Sequence, residues 1–134
     1  MVLPTRKKYA MNGNKYLADT NAFIYFLNKH PAIQPLLGVE WSYSFITRIE
    51  LLGKPGISTH AISMAEALLS SCTALPHTEA INDLAISLKQ QYKIKTPDAL
   101  IAATAIYHNL PLLTADNGFK RIKHKRLGIV LIGL

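Results

Sequence analysis

The sequence has little of several features that would assign a chain to a class directly. It contains one cysteine, Cys72, so it cannot form an internal disulfide, and we expect a reducing cytoplasmic location. Its longest apolar runs, residues 99–103 and 128–134, are far shorter than the ~20 residues that span a bilayer, so no membrane segment is predicted. A short polar stretch follows the basic N-terminus, so no secretory signal peptide is expected either.

Several familiar catalytic motifs are also missing. The sequence has no Gly-x-Gly-x-x-Gly, no Walker-type glycine-rich loop, no Gly-x-Ser-x-Gly elbow and no Cys/His spacing for zinc. The five histidines are scattered, and we interpret them as turn or surface residues. These absences argue against dinucleotide, nucleotide, serine-hydrolase and zinc chemistry, and they leave acidic residues as the main candidates.

Positive charge is concentrated at the two ends of the chain. The net charge of +7 divides into +4 over residues 1–18, −2 over residues 19–116 and +5 over residues 117–134. Basic ends attract polyanions by releasing their counterions, so nucleic acid is a natural ligand, although a solvated tail and helix face explain the charge equally well.

The length of 134 residues, with 49% hydrophobic residues, predicts one folded domain.

Apolar strands alternate with helices along the chain. We predict strands at residues 15–19, 41–45, 74–75, 110–114 and 128–132, and helices at 20–28, 47–52, 60–71, 78–91 and 96–109, with one helical turn at 119–122. Thr96 is expected to cap its helix, with Pro97 at the first helical position. Continuously apolar strands separated by helices predict a parallel α/β sheet that is covered on both faces.

Four acidic residues fall at the ends of these elements. Asp19 and Asp116 each follow a predicted strand, so both reach the carboxyl edge of the sheet, where ligands of open α/β folds bind. Asp98 and Glu50 fall in the first turns of two helices. Each acid also has a structural interpretation: Asp19 or Asn21 as a helix cap, Thr47 and Glu50 as a capping box, Asp98 as a partner of the helix dipole, and Asp116 as part of a turn.

Convergence of these acids would imply a metal ion. Two carboxylates ~4 Å apart repel by about 4 kcal/mol at an effective dielectric near 20, and a divalent cation reverses that cost. Oxygen ligands without cysteine or histidine favour a hard ion such as Mg²⁺ or Mn²⁺, which commonly meets phosphate substrates.

The order of the motifs resembles that of the PIN-domain family, in particular the VapC-type toxin ribonucleases. The segments that carry the resemblance are Tyr16–Asn21, Ile46–Leu51, Thr96–Ala105 and Leu113–Phe119, and the likeness extends over residues 15–134. It implies a three-layer α/β/α sandwich with a central parallel sheet. It also implies that Asp19, Glu50, Asp98 and Asp116 are catalytic and bind Mg²⁺ or Mn²⁺.

The resemblance assigns supporting roles as well. Asn21 and Thr114 would orient the acids or the waters of the metal. Many relatives carry another acid at the position of Gly118, so the resemblance supplies no fifth carboxylate here that would hold a second ion tightly. The sequence Gly53-Lys54-Pro55-Gly56 shortens the helix that carries Glu50.

The function implied is that of a metal-dependent endoribonuclease that hydrolyses RNA phosphodiester bonds as the toxin of a toxin–antitoxin pair. An antitoxin protein and a second copy of the chain are the implied protein partners. We expect Lys120, Arg121 and Lys123 to bind the nucleic acid. Residues 1–14 are expected to be a flexible extension, with Met11 as an alternative start, and residues 15–134 to be a single nuclease domain.

Two other functions are compatible with the residues. The first is a non-catalytic PIN-like module that binds RNA or a protein, with its acids retained as caps. The second is a phosphotransferase with Asp19 as nucleophile. It has less support, because Asn21 stands where haloacid-dehalogenase-like enzymes place a second aspartate.

Overall fold

Five parallel strands form the middle layer of the fold. The computed structural model describes residues 14–133, and its strands are β1 (Lys15–Ala18), β2 (Glu40–Tyr43), β3 (Thr73–Ala74), β4 (Leu112–Thr114) and β5 (Ile129–Leu131). Their order across the sheet is β3-β2-β1-β4-β5, and every neighbouring pair is parallel. Strands β1 and β4 are therefore neighbours at the centre, although most of the chain separates them in sequence.

Helices cover both faces of this sheet. They are α1 (Thr20–Leu27), α2 (Phe45–Leu52), α3 (Thr59–Ser70), α4 (Glu79–Gln91) and α5 (Thr96–His108), with short 3-10 helices at Pro31–Leu36 and Asn117–Arg121. The predicted three-layer α/β/α sandwich with a central parallel sheet is confirmed.

The central strands direct alternate side chains into two separate cores. Leu17 and Leu112 pack with the apolar faces of α4 and α5, which include Ile81, Leu88 and Ile106. Tyr16, Ala18 and Leu113 point to the opposite face and pack against α1, α2 and α3. Because both faces of the sheet are buried, the strands read as continuous apolar runs in the sequence.

One predicted helix start, that of α2, and one predicted cap, that of α5, are wrong. Helix α2 begins at Phe45 because the hydroxyl of Ser44 accepts a hydrogen bond from the Ile46 amide (3.1 Å), so Thr47 lies inside the helix and forms no capping box with Glu50. Helix α5 begins at Thr96, whose predecessor Lys95 occupies the cap position. The Lys95 carbonyl already accepts from the Ala99 amide at 2.9 Å, which places Thr96 within the first turn. Other ends move by one or two residues.

The expected extension at residues 1–14 falls almost wholly outside the described residues. Only Asn14 belongs to the described part, where its carbonyl accepts a hydrogen bond of 2.8 Å from the Glu40 amide. Within residues 14–133, no helix has the length and apolar character needed to cross a membrane.

Candidate active site

The four predicted acids line one cleft at the carboxyl edge of the sheet. The cleft has a volume of about 360 Å³. Its walls come from the N-terminal end of α1, the C-terminal half of α2 and the turn after it, the first turns of α5, and the segment after β4. The lining residues are Asp19, Thr20, Asn21, Ile24, Glu50, Lys54, Asp98, Ile101 and Asp116. The topology thus gathers carboxylates that are as much as 97 residues apart in sequence.

Asp19 is the most deeply buried of the four acids, with an exposed fraction of 3%. It caps helix α1, where its Oδ1 accepts from the Ala22 amide at 2.8 Å, and its Oδ2 accepts from the Thr114 hydroxyl at 2.5 Å. Burial raises the pKa of Asp19 to about 6, the two hydrogen bonds oppose that rise, and repulsion from Asp116 and Asp98 adds to it. The predicted cap and the predicted cleft residue are therefore the same side chain.

Thr114 and Asp116 form a short chain of hydrogen bonds with Asp19. The Thr114 hydroxyl accepts from the Asp116 amide at 2.9 Å while it donates to Asp19. The Asp116 carboxylate in turn caps the following 3-10 helix, because its Oδ1 accepts from the Gly118 amide at 2.7 Å. A Cβ atom at Gly118 would lie 3.0 Å from the same oxygen, so the glycine leaves room for this arrangement.

Glu50 is positioned by residues that the sequence patterns do not identify. The hydroxyl of Thr20, the first residue of α1, donates to Glu50 Oε1 at 2.5 Å and lies 3.2 Å from the hydroxyl of the fully buried Thr47. Thr20 follows Asp19 directly, which is the one signal in the sequence that points to it. Glu50 therefore reaches the cleft despite the short helix that carries it.

The charges of the other acids affect the pKa of Asp98. Asp98 is half-buried in the first turn of α5, and its pKa is raised by burial and then by the charges of Asp116 and Glu50, while Lys95 lowers it. Asp19 responds in the same way to Asp116 and Asp98. The four carboxylates thus share one region of strongly negative potential.

The chemistry of these donors fits a hard divalent ion, because the acidic side chains that line the cleft are carboxylates and no histidine or cysteine lines it. Within residues 14–133, no three histidine, cysteine, aspartate or glutamate side chains are arranged to hold an ion in this conformation. Hydrogen bonds occupy both oxygens of Asp19 and one each of Glu50 and Asp116, which keeps the carboxylates around the cleft wall. Metal binding at these four acids stays a prediction.

The remaining predicted site residues lie at or beyond the rim. Asn21 is exposed and lines the cleft. Lys120, Arg121 and Lys123 are exposed and lie outside the cleft lining, on the segment that follows Asp116. Arg121 donates through Nη1 to the Lys93 carbonyl at 2.9 Å. Nucleic-acid binding by these three basic residues stays a prediction.

The histidines behave as turn and surface residues. His30 caps a 3-10 helix by accepting from the Ala32 amide, and His108 is 2.9 Å from the Pro76 carbonyl. Among the described residues, which include all five histidines, none lines the cleft. This agrees with an oxygen-only site.

Comparison with known proteins identifies the fold family. The family model of the PIN domain matches residues 16–125. This chain belongs to the PIN-domain family. Among curated proteins, this PIN domain is similar to Ribonuclease VapC4 of Mycobacterium tuberculosis, with 30% identity over 119 residues that cover 81% of this chain and 92% of the relative.

Solved structures show the same likeness. The PIN domain described here is similar to a chain of a toxin–antitoxin complex from Klebsiella pneumoniae, with 28% identity, a TM-score of 0.74, and coverage of 88% of this chain and 98% of that one. It is also similar to a chain of VapBC2 from Rickettsia felis, solved with a DNA fragment from the promoter, with 25% identity, a TM-score of 0.71, and coverage of 86% and 96%.

Proposed function

We propose that this PIN-domain protein is a metal-dependent endoribonuclease that hydrolyses RNA phosphodiester bonds as the toxin of a toxin–antitoxin pair. The observation that carries the proposal is the convergence of Asp19, Glu50, Asp98 and Asp116 on one cleft. Its similarity to Ribonuclease VapC4 and to chains of toxin–antitoxin complexes supports both parts of the proposal.

The four carboxylates would hold Mg²⁺ or Mn²⁺. When bound, such an ion lowers the pKa of water to supply a nucleophile and offsets the charge of the phosphodiester. The chain's own residues set the positions of the ligands. Thr114 fixes the carboxylate of Asp19 relative to the backbone of Asp116, and Thr20 fixes that of Glu50. Asn21 lies at the rim, where its amide can bind water or substrate.

The protonation state of Asp19 suits a ligand role near neutral pH. With a pKa of about 6, this carboxyl group is mostly ionised at pH 7 and above, and it becomes protonated as the pH falls below 6. Burial keeps the group in a low-dielectric setting, where its charge interacts strongly with a cation. Protons and the metal ion therefore compete for Asp19.

The partners follow from the same proposal. An RNA substrate agrees with the net charge of +7 and with the exposed Lys120, Arg121 and Lys123, which would contact phosphates next to the cleft. An antitoxin protein is the partner that its relatives in toxin–antitoxin complexes suggest. A second copy of the chain is the further protein partner that we expect from the resemblance to the family. An RNA substrate and a single cysteine both fit a cytoplasmic location.

A non-catalytic binding module explains part of the site. In such a module the acids would be retained only as helix caps, and Asp19 and Asp116 do cap helices. It does not explain Asp98, whose carboxylate makes no hydrogen bond within the described residues and whose pKa is raised by burial and by the charges of Asp116 and Glu50. An acid held at such a cost favours a role with a cation.

RNA cleavage by the purified protein tests the proposal. We expect cleavage with Mn²⁺ or Mg²⁺ that stops on chelation and is lost in Asp98→Asn. Asp83→Asn is the matched control, because Asp83 is an exposed aspartate on α4 outside the cleft. Asp98→Asn should melt at or above the wild-type temperature, since it removes a repelled charge. Unchanged cleavage in Asp98→Asn, or loss of its fold, would count against the proposal.

A further inference from the structure

The segment between α2 and α3 is a rigid turn that holds a lysine beside the carboxylates. Lys54, Pro55, Gly56 and Ile57 form a β-turn in which the Ile57 amide donates to the Lys54 carbonyl at 3.2 Å. Gly56 has a φ of 73°, and proline precedes it, as in a type II turn. Gly53 ends α2, where a Cβ atom would lie 2.5 Å from the Ile49 carbonyl oxygen. The backbone of Lys54 is thus fixed on both sides.

Lys54 is the one cation among the residues that line the four-carboxylate cleft within the described part of the chain. It is exposed, and within residues 14–133 its ammonium group makes no ion pair or hydrogen bond. Lys54 is also absent from the influences on the pKa values of Asp19 and Asp98. Because the ammonium group forms no ion pair with these acids, its charge is available to an external anion.

The position of Lys54 also indicates on which side of the cleft a bound strand would contact it. It lines both the carboxylate cleft and an adjoining groove between α1, α2 and α3 with a volume of about 370 Å³, whose wall includes Ile24, Leu51 and Met64. Lys95, which lowers the pKa of Asp98, lies at the cap position of α5 and is not among the residues that line the cleft. A polyanion that extends from the cleft into this groove would therefore pass Lys54.

We propose that Lys54 binds the phosphate of the RNA strand that flanks the scissile phosphate on the side of the α1–α2–α3 groove. The inference rests on the proposed ribonuclease function and deepens it. Four carboxylates and one divalent ion leave a net negative charge in the cleft, which repels a polyanion. A fixed ammonium group at the rim offsets that repulsion where the strand enters, so Lys54 acts on substrate binding rather than on the chemical step.

The experiment compares the wild type with Lys54→Met, Lys54→Arg and Lys15→Met. Lys15 is a matched control because it is an exposed lysine that opens β1, roughly 13 Å along the strand from Asp19 and at the opposite edge of the sheet. Steady-state cleavage of single-stranded RNA with Mn²⁺ is measured over a range of salt concentrations. Affinity for a labelled 2′-O-methyl phosphorothioate oligonucleotide, which resists hydrolysis, is measured by fluorescence anisotropy.

For Lys54→Met we expect KM to rise about 3- to 10-fold with kcat within about two-fold, and the salt dependence of log affinity to weaken by about 0.7. Lys54→Arg should keep most of the wild-type affinity, and Lys15→Met should match the wild type. An unchanged KM and salt slope in Lys54→Met, or a fall in kcat alone, overturns the inference and leaves the ribonuclease standing.

Failure of the proposed function gives a different result. If the wild type cleaves no RNA with any divalent ion, the anisotropy measurements decide on Lys54 alone. Weaker binding by Lys54→Met than by the wild type and Lys15→Met then supports a phosphate contact without cleavage. Equal binding by all variants, or no binding by the wild type, overturns the inference together with the ribonuclease.

Discussion

The hydroxyl of Thr114 donates a hydrogen bond of 2.5 Å to Asp19 Oδ2 and thereby links the ends of the two central strands, β4 and β1. Thr114 is fully buried and Asp19 nearly so. Since the same hydroxyl accepts from the Asp116 amide, one threonine connects two acids of the cleft. The fully buried hydroxyl of Thr114 thus sets the orientation of the Asp19 carboxylate at the wall of the cleft.

Replacing Thr114 tests this connection. In Thr114→Val, one oxygen of Asp19 loses its donor, so we expect RNA cleavage to fall about 10- to 100-fold and the free energy of unfolding to fall by about 1–2 kcal/mol. Thr114→Ser keeps the hydroxyl and should retain most of the activity. Cleavage rates and urea melts measure the two effects. Wild-type cleavage by the valine variant would show that the hydrogen bond does not serve the reaction.

The raised pKa of Asp19 predicts how stability depends on pH without metal. Its folded pKa of about 6 exceeds the ordinary value of 3.8, so the folded state binds the proton more tightly than the unfolded one. The stabilisation from Asp19 is therefore full below about pH 4 and is lost as the pH rises through about 6. In EDTA we expect the melting temperature to fall between pH 5 and 7 in the wild type, and less so in Asp19→Asn.

The same pKa predicts competition between protons and the metal. Mn²⁺ should raise the melting temperature more at pH 7.5 than at pH 5, because at the lower pH the ion must displace a proton from Asp19. Thermal melts with Mn²⁺ and with EDTA at both pH values measure this difference. Parallel pH profiles for the wild type and Asp19→Asn, with equal gains from Mn²⁺, would show that Asp19 neither titrates in this range nor binds the ion.

We predict that the hydroxyl of Thr20 supports RNA cleavage by positioning Glu50, apart from the role of Thr20 at the start of α1. Thr20→Val removes the hydroxyl that donates to Glu50 Oε1, and we expect cleavage to fall about 10-fold through weaker metal binding. Thr59→Val is the matched control, since Thr59 is likewise the first residue of its helix but makes no contact with the cleft. Mn²⁺ titrations of activity measure the effect. An equal loss of cleavage in both variants would show that the loss comes from replacing a threonine at the start of a helix and not from the contact with Glu50.

Gly56 adopts a positive φ in the turn that carries Lys54. Replacing Gly56 tests how much this conformation matters for stability. Gly56→Ala places a side chain at a φ of 73°, so we expect the free energy of unfolding to fall by about 1 kcal/mol although no atom lies within 4 Å of the added Cβ. Gly56→Asn should cost less, because asparagine tolerates this conformation. Gly38→Ala, equally open but without a positive φ, is the control, and its urea melt should match the wild type.

The sequence predicts the sheet and the acids at its edge because both depend on local patterns. Apolar runs predict the strands, and an acid directly after a parallel strand must reach the carboxyl edge. The capping box at Thr47 was wrong because Ser44, three residues earlier, caps α2 instead, a choice that propensities alone do not decide. Neither the contact of Thr20 with Glu50 nor the place of Lys54 in the cleft could be predicted, since both depend on how α1 packs against α2.

The adjacency of β1 and β4 has a consequence for how such proteins diverge. Main-chain hydrogen bonds, such as that from the Asp19 amide to the Leu113 carbonyl at 3.0 Å, set how far apart the two strand ends lie. These hydrogen bonds join backbone atoms, so they do not depend on which side chains the two strands carry. Homologues can therefore lose most of their sequence identity and still keep the spacing between the acids that follow these strands, Asp19 and Asp116.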